Sequence, residues 1–303
     1  MNEKMTLAEW IERYRQHEQE VGSAATAAAV RAMGRHMRAY EEGRGGRRAL
    51  LAEVDRDFCE GFVRHLGEAR SLRGGGRGLS AHTRHQYVVV LGAALNVAVR
   101  EGLMEANPVK EIRREFRIRL PDERRVYLDH EELRRLQMTP YGCAEETRRA
   151  FLFSCFSGLR ISDIRRLTWG NLEPVADGRG RRTYRLSIVM QKTGRLLSLM
   201  LSQRALGCLP AGRGDVGELV FDLPSAVTVN RHVARWAREA GIAKHVCFHS
   251  ARHTFATMAL TLGADIYTTS KLLGHTSVAT TQIYARVVDR KKDEAMLLFD
   301  ELG

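Results

Sequence analysis

The second half of the chain carries arginine, lysine, histidine and tyrosine side chains in four short segments. Arg160 lies in FSGLRISDI and Arg252 in HSARHTFAT. A guanidinium group stays charged at neutral pH, and its fork of N–H donors fits the oxygens of a phosphate group. The Tyr284 hydroxyl, with an ordinary pKa of about 10, becomes a nucleophile only with help from a base. These residue types suit nucleophilic attack on a phosphate ester, and the candidates are Arg160, Lys192, His249, Arg252, His275 and Tyr284.

Each candidate also has a purely structural explanation. Arg160 could form an ion pair with Asp163, one helical turn later. His249 and Arg252 could cap or brace the helix that they open, and His275 could terminate a helix. The sequence pattern alone leaves these alternatives open.

Lys192 has the least local support, because a lysine in a turn is commonly just exposed. Arg195 and Lys244 are alternatives to it. Tyr284 is preferred over the other tyrosines only by its position nine residues after His275 and by the TTQI that precedes it.

A metal site is the competing interpretation of the histidine-rich segment. His245, His249 and His253 recur at four-residue spacing with Cys247 among them, which resembles a zinc-binding helix face. The chain is only entering a helix here, however, and no carboxylate or second cysteine completes a tetrahedral set. We therefore expect no metal and no cofactor.

The first 110 residues predict a small helical domain. Thr6 and Glu9 form a capping box pattern ahead of an apolar face. Asp55 caps a third helix, and Ser80 opens a fourth. The fourth helix is expected to end at Gly102 and Asn107-Pro108. Polar residues at its start are candidate DNA contacts, namely Ser80, Thr83, Arg84 and Gln86; their alternative role is to cap and solubilise the helix.

Residues 111–126 predict a basic linker, since this stretch holds six arginines, a proline and little apolar periodicity. It is either a solvated charge run or a strap along a phosphate backbone. In the second case the contacts include Arg113, Arg114, Arg117 and Arg119.

Residues 127–303 predict a second domain that is mostly helical with a small sheet. Alternating apolar residues flank the turn QKTG (191–194), which indicates a β-hairpin over 184–201. Helical patterns follow Asp129, and others cover 146–159, 226–240, 249–262, 266–273, 277–286 and 290–301.

The candidate segments, taken in order, resemble the motifs of the tyrosine recombinase (phage integrase) family. FSGLRISDIRRLTW (156–169) resembles the first arginine motif, and QKTG holds the place of the hairpin lysine. HSARHTFAT (249–257) matches the His-x-x-Arg motif, and LLGHTSVATTQIY (272–284) the second histidine and the tyrosine. The helices before residue 110 resemble the family's core-binding domain, so the resemblance covers nearly the whole chain.

The resemblance implies a role for each residue. Arg160 and Arg252 would hold the non-bridging phosphate oxygens, while His249 would be the base and Lys192 the acid that protonates the leaving 5′-oxygen. His275 would bind a phosphoryl oxygen, and Tyr284 would form a 3′-phosphotyrosine without ATP or metal. Asp163 would support a guanidinium or the local helix packing.

The resemblance also implies an architecture and partners. The expected fold is an N-terminal helical, SAM-like core-binding domain followed by an α+β catalytic domain, in a C-shaped clamp on double-stranded DNA. The expected function is site-specific recombination as the integrase of a mobile element, by a homotetramer in the synaptic complex that is a monomer in solution and works with accessory DNA-bending or directionality factors. The alternatives are a dimer-resolving recombinase, a type IB topoisomerase-like enzyme, and a catalytically silent DNA-binding regulator.

Composition agrees with a nucleic-acid partner. The 303 residues hold 48 Lys and Arg against 36 Asp and Glu, a net charge of +12 that is spread over both halves. Five widely spaced cysteines without a CxxC pair indicate reduced thiols. No signal-peptide-like or membrane-spanning segment is evident. We therefore expect a cytoplasmic, nucleoid-associated bacterial protein that does not bind membranes.

Overall fold

The computed structural model describes residues 5–71, 78–121, 125–140 and 144–284. The chain divides into two compact units, Met1–Glu123 and Arg124–Gly303. The predicted helix over 290–301 and the end of the one over 277–286 lie outside the described residues. Within the described ranges, no helix is both long and apolar enough to cross a bilayer.

Four helices build the first unit: α1 (Leu7–Glu20), α2 (Ala24–Gly43), α3 (Arg56–Glu68) and α4 (Ala81–Arg100). The predicted caps are present, because the Thr6 side chain accepts from the main chain of Glu9 while Glu9 accepts from the main chain of Thr6. The amphipathic faces meet in one apolar core. Trp10, at the centre of this core, donates from Nε1 to the main-chain oxygen of Ala94 over 3.0 Å, so α1 is joined to α4.

The stretch 111–118, predicted as the start of a linker, packs on the first unit instead. Pro108–Glu111 and Arg114–Phe116 form 3₁₀ turns, and Ile112 is buried in the core. Glu60, 2 % exposed, accepts hydrogen bonds from the main-chain nitrogen and the guanidinium of Arg113. This part of the charged run therefore has a structural role, because Ile112 is buried and Arg113 binds a buried carboxylate. Its composition alone did not indicate that role.

Along the chain of the second unit, helices come before and after the three strands of a single sheet. In order they are α5 (His130–Met138), α6 (Glu145–Ser157), α7 (Ile161–Ile164), β1 (Leu172–Ala176), β2 (Arg182–Val189), β3 (Leu196–Met200), α8 (Gln203–Leu206), α9 (Ala226–Glu239), α10 (Phe248–Thr261) and α11 (Ile266–Leu272). The chain is therefore mainly α with a small β-sheet, as predicted.

The sheet is antiparallel in the order β1-β2-β3, with Leu186 facing Leu172 on one side and Leu199 on the other. The predicted hairpin is β2 and β3. Strand β1 was missed because it contains Pro174 and buries only Leu172, which gives no alternating pattern. The helix predicted over 277–286 is replaced, in its described part, by 3₁₀ turns at Val278–Thr280 and Gln282–Tyr284.

Candidate functional site

Arg160 is presented by a sharp break between two helices. Helix α6 ends at Ser157, Gly158 adopts φ +72°, and Arg160 is the N-cap residue of α7. A side chain at position 158 would meet the ring of Phe255, so only glycine fits this turn. Arg160 is half-buried, and its Nη1 lies 3.7 Å from Sδ of Met190. The break turns the guanidinium toward the hairpin base.

Arg252 is buried on α10, at 3 % exposure. Its Nη1 donates to the main-chain oxygen of Gly158 and its Nη2 to that of Leu273, each over 2.6 Å. Burial lowers the pKa of Arg252, and the charge of Arg160 lowers it further; a guanidinium nevertheless keeps its proton at neutral pH. Arg252 therefore connects the two internal segments that carry Arg160 and His275.

His275 follows the end of α11 through Gly274, which has φ +60°. Its Nδ1 lies 2.8 Å from Oγ1 of the fully buried Thr281. Burial, and then the charges of Arg252 and Arg160, lower the pKa of His275 to about 4. His275 is thus neutral at pH 7, with one ring nitrogen held by Thr281 and Nε2 left for another partner.

Asp163 does not pair with Arg160 among the described residues. Its Oδ1 accepts a hydrogen bond over 2.8 Å from the main-chain nitrogen of Gln191, at the hairpin turn. Asp163 is fully buried, and its Oδ2 has no hydrogen-bond partner there. The acidic residue therefore holds the hairpin in place, and the ion pair with Arg160 considered above does not form.

Lys192 directly follows Gln191, whose main-chain nitrogen binds Asp163, and it lies in the turn after β2. Gly194, with φ +64°, donates to the main-chain oxygen of Met190 and closes the turn. The Lys192 side chain is exposed, and its charge contributes to lowering the pKa of His249 and of His275. The hairpin thus carries an ammonium group toward both histidines.

His249 is at the start of α10, and its edge contacts His253 with ring centroids 4.6 Å apart. The side chain is exposed, but partial desolvation by the surrounding protein lowers its pKa. The charges of Arg252 and Arg160 lower this pKa further. His249 therefore favours its neutral, basic form.

Tyr284 lies on the last described turn and is 5 % exposed. Its ring packs in a small apolar cluster with Ala256, Leu260 and Leu273. Its Oη lies 2.6 Å from Nδ1 of His253. Burial raises the pKa of Tyr284 to about 12, although Arg252, Arg125 and Arg160 act in the opposite direction. The phenol is protonated in this state.

The electrostatics of the site favour an anion. The charge of Arg160 lowers the pKa of Arg252, while Asp163 acts in the opposite direction on both arginines. The charges of both arginines also lower the pKa of His249 and of His275. A phosphate would relieve this unbalanced positive charge while accepting hydrogen bonds.

Three residues near the site were not among the predicted chemical residues. His253 contacts Tyr284, Thr281 contacts His275, and Arg125 lies close enough for its charge to lower the pKa of His249 and His253. One signal for His253 was available: it directly follows Arg252 and shares a helix face with His249. No local signal distinguished Thr281 from other threonines.

The predicted contacts on α4 adopt capping geometry. Ser80 accepts from the main chain of Thr83, and their hydroxyl oxygens lie 2.9 Å apart. Arg84 is half-buried, its Nε lacks a hydrogen-bond partner among the described atoms, and Gln86 is exposed.

The predicted linker arginines divide into two groups. Arg113 is bound to Glu60, and Arg117 donates from Nε to the main-chain oxygen of Ile112 over 3.0 Å. Arg114 and Arg119 are exposed and form no ion pair with any residue of the described ranges. The second group is thus available to an external anion.

The histidine-rich segment does not assemble a metal site in the part of the chain that the structure describes. No group of three His, Cys, Asp or Glu side chains there could hold an ion. His253 directs its Nδ1 to Tyr284 instead.

Comparison with known proteins gives consistent matches over both units. The family model "Phage integrase family" matches residues 126–291, and "Phage integrase SAM-like domain" matches residues 6–118. A tyrosine recombinase XerC of Pelobacter propionicus is 28% identical over 314 residues, covering 97% of this chain and 95% of the relative.

Two solved structures have the same fold. The Tn1549 transposon integrase in complex with a circular intermediate DNA superposes with a TM-score of 0.66 at 17% identity, over 93% of this chain and 95% of that one. A lambda integrase tetramer bound to a Holliday junction superposes with a TM-score of 0.63 at 20% identity, over 91% of this chain and 79% of that one.

Proposed function

Because this chain belongs to the phage integrase family of tyrosine recombinases, which cleave and rejoin DNA at specific sites, we propose that Tyr284 is its nucleophile and forms a 3′-phosphotyrosine intermediate. The observation that carries this assignment is Arg252, which binds the main chain on both sides of the site through Gly158 and Leu273. One residue thereby holds Arg160, His275 and the cluster around Tyr284 together.

The two arginines bind the scissile phosphate. Each Nη nitrogen of Arg252 has one hydrogen engaged by a carbonyl, which leaves the second hydrogen on each for phosphate oxygens. Arg160 supplies the other guanidinium from the α6–α7 break. Loss of one such preorganised donor lowers rates by roughly 10²–10³.

In the cleavage step Oη of Tyr284 attacks phosphorus and the bond to the 5′-oxygen breaks. His275 donates from Nε2 to a phosphoryl oxygen, since Thr281 occupies its Nδ1. His249 is the final acceptor of the phenolic proton, which reaches it by way of His253, because the Tyr284 hydroxyl contacts His253 and the ring of His253 contacts that of His249. The lowered pKa of His249 keeps it neutral beforehand, and the arriving phosphate offsets the arginine charges that disfavour its protonation. Lys192 donates a proton to the 5′-oxygen. The phosphotyrosine conserves the ester, so the reverse reaction with a new 5′-hydroxyl completes strand exchange.

Strand exchange between two sites requires four active sites, and we assign the active form as a homotetramer on DNA. The lambda integrase tetramer on a Holliday junction supports this through the common fold. For the biological role we propose integration and excision of a mobile element. A second candidate, resolution of chromosome or plasmid dimers, is supported by the XerC-named relative that matches nearly the whole chain.

The nucleophile is tested by covalent capture. Purified protein is incubated with sheared genomic DNA of its source, stopped with detergent, and the DNA that remains on the protein is released by protease and sequenced. We expect discrete sites from the wild type and none from Tyr284→Phe. Tyr267→Phe is the matched control, because Tyr267 is 58% exposed and its ring lies beneath the ammonium group of Lys271. Adducts that persist in Tyr284→Phe, or that never form in the wild type, would contradict the assignment and favour a silent DNA-binding protein.

The captured sequences also separate the two biological roles. Sites at both ends of one excisable segment, recovered together with the joined circle, support the mobile element. A single chromosomal or plasmid site without such a segment supports dimer resolution.

A further inference from the structure

His253 occupies a distinctive position on α10. It follows Arg252 directly and lies one turn after His249, so all three functional groups extend from the first two turns of one helix. The residue is 7 % exposed. Its ring contacts those of His249 and Tyr284, with centroids 4.6 and 5.7 Å away.

The hydrogen bond between His253 and Tyr284 joins two neutral groups. Burial, followed by the charges of His249 and Arg125, lowers the pKa of His253 to about 3, while burial raises that of Tyr284 to about 12. The imidazole therefore has one protonated and one unprotonated nitrogen at pH 7.

The direction of this hydrogen bond follows from the number of donors and acceptors that the two groups have available. The phenol has one proton, and Nδ1 of His253 is its only acceptor among the described residues. If Nδ1 carried the imidazole proton, the buried phenolic proton would lack an acceptor, at a cost of about 1–3 kcal/mol. The phenol therefore donates to Nδ1, and the ring proton is on Nε2.

This arrangement leaves the oxygen of Tyr284 free to react. A hydroxyl has one donor and two lone pairs. With the proton directed at His253, both lone pairs remain available to phosphorus. During attack His253 takes up this proton at Nδ1 and gives the proton on its Nε2 to His249, whose ring contacts its own. The 3₁₀ turn Gln282–Tyr284 has only three residues, which constrains a side chain less than a helix does. The hydrogen bond to α10 supplies the missing constraint.

We propose that His253 is a positioning residue that holds the hydroxyl of Tyr284 beside Arg252 and Arg160 for attack on DNA. This inference rests on the proposed role of Tyr284 as nucleophile. The two groups that must align, the nucleophile and the phosphate-binding Arg252, are held by adjacent residues of one helix. A shift of about 1 Å in such an alignment can slow a reaction roughly 100-fold.

The first test measures single-turnover adduct formation on a nicked duplex that carries a captured site. We expect His253→Leu to form the 3′-phosphotyrosine about 10- to 100-fold more slowly than the wild type, with unchanged affinity for the same duplex. His253→Asn should recover most of the rate, because its Oδ1 can accept the bond in place of Nδ1. His245→Leu is the control, since His245 is exposed on the loop before α10. Adduct formation by His253→Leu at the wild-type rate or faster would overturn the proposal.

A second duplex with sulfur in place of the scissile 5′-oxygen separates nucleophile positioning from leaving-group protonation. A thiolate leaves without a proton donor, so this substrate should restore the rate of adduct formation in Lys192→Ala but not in His253→Leu. Restoration of both would place His253 in leaving-group protonation and contradict its proposed role.

The last readout needs no DNA and no leucine variant. In ¹⁵N-histidine spectra of the whole protein, the resonance assigned to Nδ1 of His253 by its absence in His253→Asn should show an unprotonated nitrogen. It should move in Tyr284→Phe. An unaltered resonance would refute the hydrogen bond, whereas failure of the nucleophile assignment would appear separately, as adducts in Tyr284→Phe or none in the wild type.

Discussion

Arg252 donates a hydrogen bond from Nη1 to the main-chain oxygen of Gly158, 94 residues earlier in the chain. This carbonyl belongs to the left-handed residue that ends α6 and precedes Arg160. The same guanidinium reaches Leu273 through Nη2. One arginine is therefore both a proposed phosphate ligand and the contact that fixes the positions of its neighbours.

Gly158→Ala should disturb both arginines. The positive φ costs about 1–2 kcal/mol for alanine, and the new Cβ would lie 2.7 Å from Cδ1 of Phe255, adding about 1–3 kcal/mol of overpacking. We expect a loss of about 2–5 kcal/mol in unfolding free energy and at least tenfold slower adduct formation, measured by denaturant unfolding and by covalent capture.

Gly180→Ala provides the matched control. Gly180 has φ +74°, close to that of Gly158, but no atom lies within 4 Å of its added Cβ. This variant should lose only the backbone cost of about 1–2 kcal/mol and keep the wild-type rate of adduct formation. Equal effects of the two substitutions would show that contact with Phe255 is unimportant.

Thr281→Val should impair His275 without unfolding the protein. Valine has a similar shape to threonine but cannot form the 2.8 Å hydrogen bond to Nδ1 that orients the imidazole. We expect roughly tenfold slower adduct formation at unchanged DNA affinity. Thr281→Ser keeps the hydroxyl and should retain most of the rate. If both variants were equally slow, packing and not the hydrogen bond would be responsible.

Glu60→Gln should lower the stability of the first unit in a pH-dependent manner. The Arg113 guanidinium and main-chain N–H hold the pKa of Glu60 at about 2, below its ordinary value of 4.5. A lowered carboxyl pKa stabilises the folded state above the unfolded-state pKa, and this contribution is lost as pH falls toward 2. Calorimetry of the whole chain should show a lower melting temperature for the variant at pH 7 and a narrowing difference below about pH 4.

Glu239→Gln is the control for that experiment. Glu239 pairs with Arg235 on the exposed surface of α9, and such a pair contributes little. Its removal should leave the melting temperature nearly unchanged. A pH-independent difference between wild type and Glu60→Gln would argue against the charge of Glu60 as the cause.

Arg114 and Arg119 should bind DNA phosphates, since both are exposed without ion pairs in the described ranges. Replacing both by glutamine should reduce the slope of log K against log salt concentration by about 1.8, at roughly 0.9 per phosphate contact. The titration uses a duplex with a captured site. Arg179→Gln/Arg182→Gln, on the exposed β1–β2 loop and strand, removes the same charge as a comparison. An equal change of slope in both double variants would indicate bulk charge and no specific contact.

The sequence by itself determined what depends on neighbours within a turn of chain or on residue type. The capping box of Thr6 with Glu9 forms as predicted, because three-residue spacing brings both partners together in any helix start. The family and its fold class followed from four short motifs, since those motifs specify chemistry directly.

Only the tertiary structure decided which of these groups meet. Arg113 was a candidate contact of a DNA-binding strap, and the structure shows that Glu60, 53 residues earlier, binds it. His253 was considered only as a metal ligand, but packing brings Tyr284, 31 residues later, to its Nδ1. Such contacts depend on how helices pack, and a buried polar group takes whichever partner the packing supplies because an unsatisfied one is costly. That physical requirement, and not any local pattern, determined the partners of Arg252, Thr281 and His253.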